Sequence, residues 1–393
     1  MHRADDEDRR LATLYAIQFA VSGAWGPYLA PWLRHAGFDP ATAGAVLAAM
    51  AAVRTLSSPL WGFVADWLQR TARLLTLTGA LGAVCGLLTL TADAPAVVVA
   101  ALLTGALFRG PISSLLDTIV LRSLARRGAP DRYGGLRAWG SAGFLVAGGL
   151  SGFAAEVSPA LPIWGAVGLL IAAAWRSRHL PDEPPAPRPD LGAALRWIFG
   201  SARMRWMWAA AALHGVALSA YDTFYADRIA EVGLPARWTG AALVVGVLSE
   251  IALFWRIRPH LHRLHPLTWA SLGAGVGAVR WALTAWLTSG PALTVLALAH
   301  ALSFAAWWAG SVELLRRELP DGLRASGQAL LMTTAYGVGP FFAGVLASRT
   351  TSTAGLFAAA AVCSLAAVGL LHLSRAAGPL HPSPAGDGGA AAG

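Results

Sequence analysis

The chain has 393 residues, of which 56% are hydrophobic and only 13% are charged, and its mean hydropathy is +0.54. A water-soluble domain carries about 25% charged residues because its surface must face water, so this composition excludes an ordinary soluble protein. The net charge of +9 does not indicate binding to nucleic acid. The arginines form short clusters between long apolar segments, which is typical of the loops of membrane proteins.

Twelve apolar segments follow one another along the chain, and each is long enough to cross ~30 Å of hydrocarbon as a helix. We therefore predict an all-α integral membrane protein with twelve transmembrane helices in two pseudo-symmetric six-helix bundles, residues 11–178 and 205–374. The expected limits of the segments are 11–33, 42–64, 73–92, 96–121, 136–156, 160–178, 205–230, 238–257, 267–289, 291–315, 323–347 and 353–374.

The parts of the chain outside the two bundles are charged or rich in proline and small residues. Residues 1–10 (MHRADDEDRR) precede the first apolar segment without a cleavage site, so we expect a cytoplasmic tail there. Residues 179–204 form a cytoplasmic linker, in which PDEPPAPRPD blocks a continuous helix and 191–199 is amphipathic and suited to the membrane surface. Residues 375–393 are expected to form a disordered cytoplasmic tail.

Arginine placement predicts the orientation of the chain, because cytoplasmic loops carry more positive residues than outer loops. With the amino terminus inside, most arginines fall in the inner loops and tails. We therefore expect both termini in the cytoplasm and a multi-pass protein of the plasma (inner) membrane. The arginines that fall in outer loops are Arg34, Arg228, Arg237 and Arg349.

The loop between the second and third segments carries a motif that begins at Gly62 (GFVADWLQRTAR). It resembles the loop motif of the major facilitator superfamily, although Thr71 stands where that motif usually has Gly. The Gly permits close helix packing, and Asp66 is expected to act at an inner gate with Arg70 and Arg73 as its partners. The matching loop of the second half (WRIRPHLHR) keeps the basic residues and lacks the Asp.

Further stretches resemble the phenylpropionate-type proton symporter branch, which is itself similar to nucleoside and lactose symporters. The resemblance covers nearly the whole chain and implies the major facilitator fold, alternating access and proton coupling. Branch members share these positions more than they share substrates. The stretches are PYLAPWLR from Pro27, YGGLRAWGS from Tyr133, Ser249-Glu250, VRW from Val279 and His300.

Glu250, Arg280 and His300 lie at similar depths near the membrane midplane. An ionisable side chain in hydrocarbon costs about 2.5–3.5 kcal/mol on insertion scales, so such residues indicate function. We predict that Glu250 carries the proton, because its proton affinity would change with its distance from Arg280. His300 carries or relays the proton. The alternatives are a static Glu250–Arg280 pair that fixes helix packing, and a histidine that only packs.

Candidate substrate-binding residues occur in both halves. Arg54 and Arg109 lie at midplane depth, where a permanent cation would hold an anionic ligand through paired hydrogen bonds. The alternative is that either pairs with Asp117 or with a helix-end carbonyl. Tyr221 and Tyr225 share one helix face and are expected to stack on an aromatic or sugar-like ligand, and Asp222 is an alternative proton site.

Two further features concern gating and flexibility. Asp117 and Arg137 are predicted to form an inner gate pair near the cytoplasmic ends of the fourth and fifth segments. The fifth segment is rich in glycine and therefore suited to close packing or sliding. The sequence Gly-Val-Gly-Pro at 337–340 is expected to break the helical hydrogen-bond ladder of the eleventh segment.

We predict a secondary active transporter that works by alternating access, most simply proton-coupled symport of a small aromatic or organic acid or a nucleoside-like solute. The Gly-Pro antiporter signature is absent from the fifth segment, which favours symport. Proton-antiport efflux of a drug or metabolite and a non-transporting membrane sensor remain as alternatives. Hydrolytic and phosphate-binding motifs are absent from the sequence, so we expect no enzyme and no cofactor.

The expected partners are a small-molecule substrate, protons and the lipid bilayer, without nucleic acid, and the expected state is a monomer. Cys85 and Cys363 both lie inside apolar segments, and their spacing supports neither a metal site nor a disulfide framework.

Overall fold

The computed structural model describes residues 2–182, 191–257 and 263–378, and over these ranges the regular structure is helical, with no strand. The helices before the linker are α1 (His2–His35), α2 (Pro40–Leu68), α3 (Thr71–Thr91), α4 (Pro95–Arg109), α5 (Ile112–Arg126), α6 (Tyr133–Val157) and α7 (Leu161–Ser177). Those after it are α8 (Leu191–Gly200), α9 (Ala202–Glu231), α10 (Arg237–Ile257), α11 (Pro266–Trp286), α12 (Gly290–Leu296), α13 (Trp307–Glu318), α14 (Asp321–Thr333), α15 (Gly339–Arg349) and α16 (Thr353–Ala376).

Eight helical segments of the described chain are long and apolar enough to cross a membrane. Three of them join successive helices: Pro95–Arg126 combines α4 and α5, Gly290–Glu318 combines α12 and α13, and Asp321–Arg349 combines α14 and α15. The predicted all-α membrane fold is therefore confirmed. The count of twelve spans stays a prediction.

The charged start of the chain continues α1 and does not form a separate tail. Glu7 accepts a hydrogen bond of 2.5 Å from Ser123 Oγ near the end of α5. Asp8 forms ion pairs of 2.8 Å with Arg127 and Arg132. These contacts attach the first turns of α1 to the end of α5. The predicted amphipathic piece 191–199 is present as α8, whereas 183–190 and 379–393, parts of the predicted linker and tail, lie outside the described residues.

The break between α4 and α5 follows from Pro111, which has no N–H to donate to the carbonyl of Leu107 four residues earlier. The indole of Trp61 on α2 donates to that carbonyl at 3.1 Å. Ser58 Oγ donates to the carbonyl of Gly110 at 3.0 Å. The side chain of Trp61 therefore satisfies the carbonyl that the proline leaves unpaired, and Ser58 adds a second contact of α2 with this break.

A second departure from α-helix lies just before Pro340, where residues Thr334–Val338 form a π-helical turn between α14 and α15. The predicted break in the eleventh segment is thus confirmed. The sequence analysis did not predict another π-helical turn, Ala301–Ala306, which precedes α13.

Glycines of α6 allow close crossings on two sides, as the sequence predicts. A Cβ at Gly143 would lie 2.0 Å from the carbonyl oxygen of Ala16 on α1. On another side, a Cβ at Gly152 would lie 3.1 Å from the carbonyl oxygen of Ala236, at the start of α10. Because α10 belongs to the second half, α6 packs tightly within its own bundle and also against the other bundle.

The two halves are joined at the end of the molecule where α1 terminates. Arg34 at the end of α1 forms an ion pair of 3.3 Å with Asp227 near the end of α9. Glu156 at the end of α6 accepts two hydrogen bonds of 2.7 Å from Arg237 of α10. A close crossing of α2 with α15 adds to these contacts, since a Cβ at Gly344 would lie 2.6 Å from the backbone nitrogen of Ala48.

At the opposite end, the described ion pairs, such as Arg73–Asp182 and Arg203–Glu318, join residues of the same half. At mid-depth, the side chains of Arg54, Asp222 and Tyr336 are exposed although protein atoms surround them closely. Exposure in the middle of a bundle is what residues lining an open cavity show. The halves therefore enclose a cavity that is closed at the Arg34–Asp227 end.

The α1–α6 crossing generates a first prediction. Gly143→Ala should lower stability by about 1–3 kcal/mol, because its methyl group overlaps the Ala16 carbonyl and the two helices must separate. Gly168→Ala on α7, where a Cβ meets no atom within 4 Å, should be neutral or stabilising. Thermal unfolding in detergent measures both variants. Equal melting temperatures for the two alanine variants would contradict the crossing.

The closed end generates a second prediction. Glu156→Gln or Arg237→Gln should increase the population of molecules open at this end by a few-fold, because a partly exposed ion pair contributes about 0.2–1 kcal/mol. Spin labels at Ala36→Cys and Pro235→Cys, with both native cysteines replaced, report the separation of the halves. The charge-exchanged double variant Glu156→Arg/Arg237→Glu should restore much of the short distance. An unchanged distance distribution in both single variants would show that the pair does not hold the halves together.

Candidate functional site

The structure brings three predicted residues of the second half into one chain of polar contacts. Glu250 lies on α10, Arg280 on α11, and His300 just before the π-helical turn Ala301–Ala306. Glu250 Oε2 is 3.3 Å from His300 Nε2. His300 Nδ1 is 3.0 Å from Arg280 Nη1. His300 thus stands between the carboxylate and the guanidinium, whereas the sequence suggested a direct Glu250–Arg280 pair.

The contacts of His300 place its ring between the two charged groups. A guanidinium can only donate hydrogen bonds, so Nδ1 of His300 accepts from Arg280. Nε2 lies on the side of Glu250. His300 therefore connects Glu250 to Arg280.

Arg280 is almost completely buried, with 1% of its surface exposed. Its Nη1 also donates to Ser303 Oγ at 3.0 Å. Its guanidinium carbon lies 4.0 Å from the ring centroid of Tyr221 and 4.5 Å from that of Trp281, so aromatic faces contribute to holding the charge. Its Nε and Nη2 have no hydrogen-bond partner among the described residues.

The two tyrosines predicted to contact a ligand are buried behind this guanidinium. Tyr221 and Tyr225 do share one face, with ring centroids 4.5 Å apart, and Tyr221 also packs against Trp281 at 5.1 Å. Both are at most 5% exposed. In this state they pack around Arg280 and do not line the cavity. Asp222, between them in sequence, is exposed and lies within electrostatic range of Glu250 and Arg280.

Aromatic rings continue from His300 along the second half. The His300 ring stacks on Phe304 with centroids 5.3 Å apart and planes 6° apart. Phe304 stacks in turn on Trp308 at 6.2 Å, and Trp308 contacts Tyr336 at 6.1 Å. Because Tyr336 is exposed in the cavity, these rings lead from the charged chain to the cavity wall.

In the first half, Arg54 and Arg109 lie close enough to repel each other. Arg109 stacks on Trp25, with its guanidinium carbon 3.7 Å from the ring centroid. Arg54 donates a hydrogen bond of 2.9 Å across the cavity to the carbonyl of Tyr336. Within the described chain, neither arginine forms an ion pair. Two permanent cations at mid-depth without a carboxylate make this region suited to an anion.

The predicted gate residues Asp117 and Arg137 are neighbours without a direct hydrogen bond among the described contacts. Asp117 Oδ1 accepts from Tyr15 at 2.5 Å and from Tyr133 at 3.1 Å. Arg137 places its guanidinium carbon 3.8 Å from the ring centroid of Phe19 and acts on Asp117 electrostatically. The sequence did not indicate the two tyrosines, because α1, α5 and α6 meet only in the folded bundle.

The predicted inner gate loop is held by a partner that the sequence did not suggest. Arg73 pairs with Asp182 at 3.6 Å, and the same carboxylate accepts from the backbone N–H of Ala72 at 2.8 Å. Arg70 is exposed just before α3, and the side chain of Asp66 lies outside the described residues. A Cβ at Gly62 would meet no described atom within 4 Å, so the expected close packing there is absent.

The sequence analysis also did not predict the residues that join the two halves, because charged residues at helix ends are usually only solvated. These residues are Asp227, Arg34, Glu156 and Arg237. Their partners lie in the opposite half of the chain, so no local pattern identifies them. They close one end of the cavity, but they do not contact the charged chain of Glu250, His300 and Arg280.

Comparisons with known proteins agree with this architecture. The family model described as the MFS_1 like family matches residues 9–359. A maltose permease of Geobacillus stearothermophilus is 25% identical over 333 residues, which are 84% of this chain and 84% of that protein. A protein named "Probable 3-phenylpropionic acid transporter" from Escherichia coli (strain K12) is 27% identical over 307 residues, 75% of this chain and 79% of that protein.

The fold is also shared with a solved structure. The crystal structure of the nucleoside transporter NupG superposes with a TM-score of 0.79 and covers 94% of this chain and 98% of that chain, at 20% sequence identity. At this identity the likeness establishes the fold.

Proposed function

This chain belongs to the MFS_1 like family of the major facilitator superfamily, and from this membrane-transporter fold we propose that it is a proton-coupled symporter of a small organic anion. The observation that carries the proposal is the pair Arg54 and Arg109, which lie at mid-depth without an ion-pair partner among the described residues. In our proposal the protein acts as a monomer in the plasma membrane with both termini in the cytoplasm, so the closed end faces outward and the cavity faces inward.

The two arginines support an anionic substrate. Guanidinium groups that repel each other in a poorly solvated site are stabilised when a carboxylate binds between them through charge-assisted hydrogen bonds. An aromatic ring lies at the site, since Arg109 stacks on Trp25. A carboxylate attached to an aromatic ring fits this combination. The relative named for 3-phenylpropionic acid supports the same chemical class.

The chain Glu250–His300–Arg280 supports proton coupling. In our proposal, ionised Glu250 accepts the His300 Nε2–H, and protonation of Glu250 weakens that bond and loosens the connection to Arg280. Asp222, exposed beside this chain, is the alternative proton carrier. One proton carried with one monovalent anion moves no net charge. Uptake by this mechanism would therefore depend on the pH difference across the membrane and not on the electrical potential.

The proposal is tested with purified protein in proteoliposomes that contain a pH-sensitive dye. Adding 3-phenylpropionate outside should acidify the lumen in a protein-dependent way. Because a weak acid also crosses lipid in its neutral form, a permanently ionised sulfonate analogue and protein-free liposomes serve as controls. Glu250→Gln should abolish proton movement while retaining exchange of labelled substrate. Glu313→Gln, whose native carboxylate pairs with Arg316 on the same helix, is the matched control and should remain active.

Other outcomes identify the alternatives. Alkalinisation of the lumen on substrate uptake would indicate proton exchange and therefore efflux chemistry. A folded protein that moves neither organic acids nor nucleosides would contradict the proposal and support a sensor on the same fold. Full proton coupling in Glu250→Gln would transfer the proton-carrying role to Asp222.

Arginine substitutions give a separate prediction. Arg54→Gln and Arg109→Gln should each weaken binding of an anionic ligand about 10- to 100-fold, because a hydrogen bond to a charged group contributes about 1.5–3 kcal/mol. Binding of an uncharged analogue should change little. Calorimetric titration of the detergent-solubilised protein measures both ligands. Arg205→Gln, whose native side chain is exposed and donates to the carbonyl of Phe199, is the control. Equal losses for charged and uncharged ligands would indicate that the arginines serve packing.

A further inference from the structure

A second histidine, His214 on α9, lies directly behind the Glu250–His300–Arg280 chain. Its side chain is completely buried, with 0% exposed. Nε2 is 2.8 Å from the carbonyl oxygen of Ser303. Nδ1 is 3.1 Å from Ser364 Oγ on α16. Its ring therefore connects three helical segments of the second half at one point.

The contacts of His214 are consistent with one neutral tautomer. The carbonyl of Ser303 can only accept, so Nε2 carries the proton. Nδ1 then accepts from the hydroxyl of Ser364, whose oxygen accepts from the indole N–H of Trp281 at 3.2 Å. Every donor in this sequence of bonds meets an acceptor. A doubly protonated ring would direct two donors at Ser364 and place a cation near buried Arg280, which is costly without solvent.

His214 reaches Arg280 through two neighbours, Ser303 directly and Trp281 by way of Ser364. Ser303 accepts from Arg280 Nη1 at 3.0 Å through its hydroxyl group, while its carbonyl accepts from His214. Trp281, fixed by Ser364, places its ring 4.5 Å from the guanidinium carbon. His214 therefore acts on two of the side chains that determine the position of Arg280.

The surroundings hold the His214 ring in place. A Cβ at Gly277 would lie 2.8 Å from its Cε1, so the absence of a side chain at this position makes room for the imidazole. The ring of Trp307 packs against it with centroids 5.1 Å apart. A ring enclosed in this way keeps one orientation.

We propose that His214 is a positioning residue for proton coupling: its neutral, Nε2-protonated ring holds Ser303 and, through Ser364, Trp281, and thereby fixes the guanidinium of Arg280 relative to Glu250. The proposal rests on the proton-coupled function proposed above. His214 contacts neither Glu250 nor the cavity, so it acts only through these neighbours.

The first test compares His214→Leu with His214→Gln in the proteoliposome assay between pH 5 and 8. Leu removes both hydrogen bonds, whereas Gln offers a donor and an acceptor. The midpoint of uptake against pH should move to higher pH by about one unit in His214→Leu, because a less firmly held Arg280 stabilises the Glu250 carboxylate less. In His214→Gln most of that shift should disappear. Thr89→Val, which removes a buried hydroxyl in the first half, is the control and should leave the midpoint unchanged.

A purely structural role would lower uptake equally at every pH and leave the midpoint in place, which would overturn the proposal. Nitrogen-15 NMR of labelled histidine supplies a second test that does not depend on transport. The His214 signals, assigned by their loss in His214→Gln, should keep the neutral Nε2–H pattern from pH 5 to 8. Protonation within this range would overturn the proposal. A wild-type protein without coupled proton movement would contradict the proposed function, while the NMR test of His214 would stand.

Discussion

The second half of this membrane protein is organised around the most deeply buried of its described arginines, Arg280. Arg280 cannot discard its charge, because a guanidinium remains protonated at every physiological pH, and almost none of its surface reaches solvent. The surrounding side chains compensate in three ways. Tyr221 and Trp281 present aromatic faces, Ser303 accepts a hydrogen bond, and His300 offers a ring nitrogen. The chain has no lysine, so its buried basic side chains are arginines, which cannot readily become neutral to lower the free-energy cost of burying a charge.

The first half stabilises its mid-depth arginine charges in a different way. Arg109 stacks on Trp25, and Arg54 reaches across the cavity to a backbone carbonyl of the other half. In the described structure the second half surrounds Arg280 with its own side chains, although Nε and Nη2 of Arg280 have no hydrogen-bond partner, whereas Arg54 and Arg109 of the first half form no ion pair. This asymmetry is the physical basis for expecting substrate binding mainly on one side and proton coupling mainly on the other.

Features that depend on neighbouring residues could be predicted from the sequence, whereas contacts between residues far apart in the chain could not. Helix positions follow from local hydropathy, and the break before Pro340 follows from the chemistry of one residue. Intramembrane charges such as Glu250 and Arg280 stand out because they are costly in lipid. The partners of those charges were less accessible. The π-helical turn after His300 has no proline or glycine within it, and Tyr15 meets Asp117 from 102 residues away. His214 gave no signal, because its role arises from four segments that meet only in the folded bundle.

The bond between Arg54 and the carbonyl of Tyr336 has a consequence for the transport cycle. That carbonyl belongs to a π-helical turn, and the donor that satisfies it comes from the opposite bundle. A ligand carboxylate that takes the Arg54 donor competes directly with this backbone oxygen. Substrate binding would then break one hydrogen bond between the bundles and leave the π-helical turn free to change its conformation. An empty carrier and a loaded carrier would therefore differ in the stiffness of this π-helical turn, so that the bound substrate would influence the motion that translocates it.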